Sequence, residues 1–306
     1  MVETIDNINI YPTRQRIDLN DKATKNLFNL TPEKFEKLVK QGATFGVVET
    51  KRKNKKTGKL EKIVSGYTLT TDKGFTFIAP LDEYDRAVLN VCISEYENGA
   101  EYITLAAIQR GLSGKNCDTK DHRNAPYKDQ YTRLKQAIDK LTACQYDPDI
   151  LEVYEKLNYE GAENIQKAQI LPAERLEKRI GGKVIEVLHF LDESPLLKIA
   201  KLKGQLLTYD AELLDVPNQQ NTPLIVMLKN YSLRRVLECI KHKMTPTLTL
   251  ADIFKKCRIT GKDNKIKQRA RDYIAVFFKH LQSKGVIKSF EFIKKGNTFH
   301  AVKFVF

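Results

Sequence analysis

"PTLTLADIFKKCRITGKDN", residues 246–264, repeats a pattern met earlier as "YITLAAIQRGLSGKN", residues 102–116. Thr104-Leu105-Ala106 and Ile108 match Thr249-Leu250-Ala251 and Ile253, and Ser113-Gly114-Lys115 matches Thr260-Gly261-Lys262. In each copy the threonine can accept a hydrogen bond from the backbone N–H three residues on, which is what a helix N-cap does. Asp252, three residues after Thr249, approximates a capping box. The pattern predicts a short threonine-capped helix twice, and with it an internally duplicated chain.

The flanking segments extend the duplication. A long helix precedes each copy, "PLDEYDRAVLNVCISEYENG" with Ala87, Val88, Val91, Cys92 and Tyr96 on one side, and "TPLIVMLKNYSLRRVLECIKHK" in the second. A third helix with a basic opening follows each: "APYKDQYTRLKQAIDKLTACQYD", and "NKIKQRARDYIAVFFKHLQSKG" at residues 264–285. Hairpins close both units, one turning at Gly181-Gly182 after an insertion, the other at Lys294-Lys295-Gly296-Asn297. Helix, short helix, basic helix and β-hairpin is the order of a winged helix, whose third helix can lie in the DNA major groove. The expected fold is α+β: a first winged helix over 80–192, a linker over 193–221 and a second winged helix over 222–306.

Residues 1–79 precede these units as a polar arm and a small sheet. "LTPEKFEKLVKQ", residues 30–41, predicts a helix with Thr31 as N-cap and Pro32 at its first position. Alternating Val, Thr, Tyr and Phe around turn-rich tips then predict β-hairpins. One tip carries six cations in nine residues, among them Lys51, Arg52 and Lys53, candidate phosphate contacts.

The charge is unevenly placed. Residues 222–306 hold 19 Lys and Arg against 5 Asp and Glu, so the whole formal excess of +14 lies in the last 85 residues, while the remaining 33 bases and 33 acids balance. Such asymmetry points to a polyanionic partner for the C-terminal part. No apolar run is long enough to span a bilayer. The opening "MVETIDNINI" lacks a cationic region followed by an apolar core, so the cytoplasm is the expected compartment. Five cysteines without a CxxC pair read as reduced packing residues. "GLSGKN" and "TGKDN" lack phosphate-loop spacing, the five histidines contain no His-x-His, and Cys117, Asp118, Asp121 and His122 form only a weak metal cluster; no metal, cofactor or catalytic residue is expected. Asp82, Glu83 and Asp85 stand at a helix start, where acids cap and complement the dipole.

The third helix of the second copy breaks that last rule. It places Lys265, Lys267, Arg269 and Arg271 in its first two turns, where positive charge is unfavourable by roughly 0.3–1 kcal/mol each. A stripe of Ile266, Ala270, Tyr273, Ile274, Phe277 and Leu281 should face the core and outweigh that mismatch. Cations at a helix N-terminus suit phosphates. Arg269 and Arg271 are candidates for guanine, Gln268 for adenine, and the lysines for the backbone. Lys294, Lys295 and Asn297 at the hairpin tip, Arg258 and Lys262 in the turn before the helix, and Lys128 and Arg133 in the first copy's third helix complete the expected DNA-binding set.

The runs "NYSLRRVLECIKHK", "LTLADIFKKCRIT" and "KIKQRARDYIAVFFKHLQSKGVIKSFEFIKKGNTFHAVKF" resemble the C-terminal winged helix of plasmid replication initiators that bind repeated origin sequences (iterons). "PLDEYDRAVLNVCISEY" is similar to the start of their N-terminal winged helix. The resemblance covers roughly residues 80–306. It implies that the second unit makes the main contacts to double-stranded DNA at origin repeats, that the first contributes to dimerisation (a homodimer) and further DNA contacts, and that host initiator and helicase are partners. It also implies a protein without enzymatic activity. The first 80 residues and the long insertion after the first unit's third helix depart from the family pattern. A transcriptional repressor of the same fold is the rival reading; a primase or nicking enzyme is a more distant one.

Overall fold

The computed structural model describes residues 13–28, 44–53, 60–70, 75–77, 79–114, 128–146, 168–180, 182–217, 219–259, 264–296 and 298–306. Gln15–Leu19 form strand β1 and Lys22–Phe28 helix α1. Thr44–Lys53 (β2) and Leu60–Thr70 (β3) pair antiparallel, with a register shift between Val48 and Glu49, and Phe75–Phe77 (β4) adds to β3. The expected hairpins are therefore present. The helix expected over 30–41 lies outside the described residues. Gln145–Tyr146 (β6) and Ala168–Gln169 (β7) continue this sheet in the order β2-β3-β4-β6-β7, and Phe75 stacks on Tyr146 at 4.3 Å.

Glu83–Glu97 (α2), Tyr102–Thr104 (β5), Leu105–Leu112 (α3) and Lys128–Ala143 (α4) open the first repeated unit, and Ala173–Ile180 (β8) and Lys183–Phe190 (β9) close it. Pro195–Leu202 (α5) and Leu206–Asp210 (β10) follow. Pro223–Lys241 (α6), Thr247–Thr249 (β11), Leu250–Lys256 (α7), Asn264–Ser283 (α8), Ser289–Lys295 (β12) and Thr298–Val305 (β13) form the second unit. Strand order is β5-β9-β8 in the first and β11-β13-β12 in the second, all antiparallel. Both units thus tuck the short strand before their second helix against the returning strand of the hairpin. Gly182 (φ 78°) and Gly296 (φ 61°) supply the left-handed backbone that the two hairpin turns require.

The caps fall where the threonines predict them. Thr104 Oγ1 accepts from Ala107 N at 3.0 Å, and Thr249 Oγ1 accepts from Asp252 N at 3.1 Å while donating to the Asp252 carboxylate at 2.5 Å. Replacing either threonine by alanine should lower stability by about 1 kcal/mol. The two losses should add in a double variant read by denaturant midpoint, because the caps belong to different units.

Three expectations are corrected. Helix α2 is not amphipathic: every residue from Glu83 to Glu95 is buried, because α6, β1, α3 and α4 all pack on it. Residues 193–221 are not a plain linker, since α5 packs in the first core and β10 pairs with β1 from Gln15↔Asp210 to Leu19↔Leu206. The N-terminal arm is likewise structural: Leu19, Leu27 and Phe28 belong to the first core, and Ile17 N donates to Ser94 Oγ at 2.9 Å. Alternation of buried Leu207 and Tyr209 with exposed neighbours marks β10 as a strand, but its partner lies about 190 positions away in the chain.

Two apolar clusters result. The first gathers residues from Leu19 to Ala200 plus Val226; the second runs from Tyr209 to Phe304, and Met227 packs against both. Cys92, Cys144, Cys239 and Cys257 are buried free thiols, as packing residues should be, while Cys117 and His122 lie outside the described residues. Among the described residues no helix is long and apolar enough to cross a membrane.

Where the units meet, charge is buried. Glu83 at the start of α2 takes both guanidinium nitrogens of Arg234 on α6 at 2.9 Å each. Arg86 Nη2 donates to Asp18 at 2.6 Å and to the Leu19 carbonyl at 2.6 Å. Asp82 caps α2, accepting from Tyr84 N and Asp85 N at 3.0 Å each, and Asp85 completes a capping box by accepting from Asp82 N at 2.9 Å. The acids do cap the helix. They also hold cations.

Candidate nucleic-acid interface

Helix α8 sits on the second core through Ala270, Ile274, Phe277, Phe278 and Leu281. Most of the expected stripe is there, with two differences. Phe278 joins it because the hairpin β12–β13 wraps that side of the helix, bringing Phe290 and Phe304 to 5.5 and 5.9 Å from its ring. Ile266 leaves it: the side chain is 41% exposed, since the helix's first six residues project beyond the core, which begins at Ala270. Packing of the last three turns therefore carries the helix and releases the basic opening for other work.

That projecting end is where the expected contacts gather. Lys265, Gln268 and Arg269 are exposed, and Lys267 and Arg271 are half-buried. At the hairpin tip Lys294 and Lys295 are exposed beside Gly296. Phe299 on β13, opposite Lys294 in the register, binds the two elements together: the Arg271 guanidinium lies 4.4 Å from its ring centroid and the Lys294 ammonium 5.0 Å. Arg271 and Lys294 thus join the basic helix end to the hairpin tip. Two like charges drawn to one ring repel each other, and a polyanion would relieve that repulsion.

Phe299 carried no signal in the pattern along the chain, because its importance comes from a residue 28 positions earlier. Phe299→Leu, which keeps an apolar side chain where Phe299 packs against the second core and Phe292 but removes the ring face, should weaken duplex binding about fivefold while the unfolding midpoint shifts little, since a cation–π contact near the surface is worth about 0.5–1 kcal/mol. Fluorescence anisotropy with a labelled duplex reads the first quantity and denaturant titration the second.

Two expected DNA contacts are corrected by their surroundings. Arg133 faces inward: Nη1 donates to Asp85 at 2.9 Å, Nη2 donates to both Asp82 oxygens at 2.8 Å, and the guanidinium lies 4.6 Å from the Tyr84 ring centroid. Arg258, in left-handed conformation (φ 54°), reaches the Pro80 carbonyl at 3.2 Å and Asp82 Oδ2 at 3.5 Å. Lys140 adds a further ion pair to Asp85. Burial works against the Asp82 carboxylate, but Arg133 and Lys140 outweigh it and hold its pKa below the usual carboxylate range. Both guanidinium groups are thus held on Asp82.

Of the remaining expected contacts, Lys51, Arg52 and Lys53 end β2 at the hairpin tip, paired in register with Lys62, Glu61 and Leu60; only their backbone is described. Lys128 opens α4, and its side chain is likewise outside the description. Lys262 and Asn297 lie outside the described residues. Gln130 on α4 donates to the Asn221 carbonyl at 3.0 Å, so the opening of the first unit's third helix is partly taken up by the segment leading into α6. The two third helices thus differ in availability: α8 projects, whereas α4 is engaged. Comparison of the chain with family models, with curated proteins and with solved structures finds no match in any of the three.

Proposed function

We propose that the chain is a sequence-specific double-stranded DNA-binding protein built on two winged-helix units, the second making the main contacts. The observation that carries this reading is the joining of a projecting basic helix end to a basic hairpin tip through Arg271, Phe299 and Lys294. A helix of that shape suits the major groove, and a flanking hairpin suits the adjacent backbone. The shared element and strand order of the two units supports it further. On the strength of the resemblance to iteron-binding initiators, the binding serves replication of a plasmid or other mobile element, without catalysis, with host initiator and helicase as partners and a cytoplasmic location at the DNA.

Selection from a randomised duplex library tests the binding, and footprinting on the DNA flanking the reading frame tests its purpose. Protection of tandem direct repeats beside an AT-rich segment is the result expected of an initiator. One inverted repeat over a promoter would make the protein a repressor instead. Nicking or relaxation of supercoiled DNA in the presence of magnesium would overturn the non-catalytic reading. At the selected site Arg271→Ala should weaken binding by about 1–3 kcal/mol.

A further inference from the structure

The outward face of α8 is not a uniform phosphate-binding stripe. Lys265, Gln268, Arg269, Asp272 and Val276 share a single helix face, each three or four residues from another of the set, and all five are exposed, Val276 by 45%. A surface that meets only phosphates needs only cations. This one carries a cation, an amide, a guanidinium, a carboxylate and an apolar side chain, the mixture that base edges require.

Asp272 is the informative member. Its side chain has no ion pair or hydrogen bond among the described residues, although Arg269 lies three residues before it and Arg271 next to it. Arg271 is turned toward Phe299 instead. As the ninth residue of the helix, Asp272 lies beyond the first turn, where an acid would gain from the macrodipole. It does not stabilise the helix by capping, pairing or burial, and beside a polyanion it repels.

We infer that Asp272 is a specificity-determining residue that accepts a hydrogen bond from the exocyclic N4 amine of a cytosine in the major groove. Carboxylates suit that donor, and they reject the O6 and O4 acceptors that guanine and thymine present at the same place. The charge that weakens binding to arbitrary DNA thereby sharpens the choice of site. This inference rests on the duplex-binding reading above.

The test compares the full-length protein with its Asp272→Ala and Asp272→Asn variants on the duplex selected by the parent chain and on a random duplex, at one salt concentration. Both variants should keep the parent's unfolding midpoint, because the side chain is exposed. Asp272→Ala should bind random duplex more tightly and lower the ratio of selected-site to random affinity about tenfold or more, the discrimination of one good base contact. Library selection with the variant should lose the cytosine at one position only, and a C·G to T·A change there should weaken the parent more than the variant. An unchanged ratio, or an equal rise in both affinities, overturns the inference while leaving duplex binding intact. A parent chain that retains no duplex at all overturns the reading beneath it as well.

Discussion

Glu83→Ala should lower the unfolding free energy by about 3–5 kcal/mol, because it leaves the Arg234 guanidinium buried without its bidentate partner. Both side chains are nearly inaccessible, with 3% of Glu83 and 6% of Arg234 exposed. Asp18 stands 3.9 Å from Arg234 and offsets only part of the loss. Arginine cannot shed its proton under any condition in which the chain folds, so the penalty cannot be relieved by titration. Against a typical total of about 5–15 kcal/mol, such a loss is severe. Urea titration followed by circular dichroism reads it directly. The double variant Glu83→Ala with Arg234→Met should regain most of the stability, since removing both charges removes the desolvation problem along with the attraction. A loss below about 1 kcal/mol in the single variant would mean that water screens the pair, as at an exposed bridge.

Duplex affinity should fall about a thousandfold between 50 and 200 mM salt. Six cations gather on the helix end and hairpin tip, Lys265, Lys267, Arg269, Arg271, Lys294 and Lys295. If each neutralises one phosphate, log K falls with log salt at a slope of about −5, because each contact releases nearly one counterion. Lys294→Ala combined with Lys295→Ala should then reduce the slope by about 2 and weaken selected and random duplexes alike, the mark of backbone contacts. A flat salt response would show that the cations do not meet phosphates.

Within the two repeated units the order of helices and hairpins was legible because those elements are announced locally. Thr104 and Thr249 signal helix starts through a bond only three residues long, and the glycine turns at 182 and 296 announce hairpins through backbone freedom at single positions. The internal duplication made the reading safer, since the same local signals recur in the same order and end in the same strand order. The core of α8 was also legible, except where it depends on what lies alongside. Ile266 falls within the expected stripe and Phe278 at its edge, yet the hairpin covers Phe278 while Ile266 stays 41% exposed.

The candidate interface was legible in part. The six cations stand out from their excess and position, whereas Phe299 and Asp272 do not, because each matters through its neighbours. Arg133 and Arg258 show the opposite error: as isolated cations near basic helices they resemble DNA contacts, but Asp82 and Asp85 draw them inward.

Local chemistry alone established the duplicated order of elements, the caps and turns, and the concentration of positive charge in the last 85 residues. Only the packed chain decided which cations are engaged, that α2 is enclosed along its length, and that β1 pairs with the sequence-distant β10. Caps, turns and helical period act over a few residues and are written in the order of the side chains. Burial and ion pairing act through space, between residues tens to hundreds of positions apart, so their outcome exists only once the chain has folded.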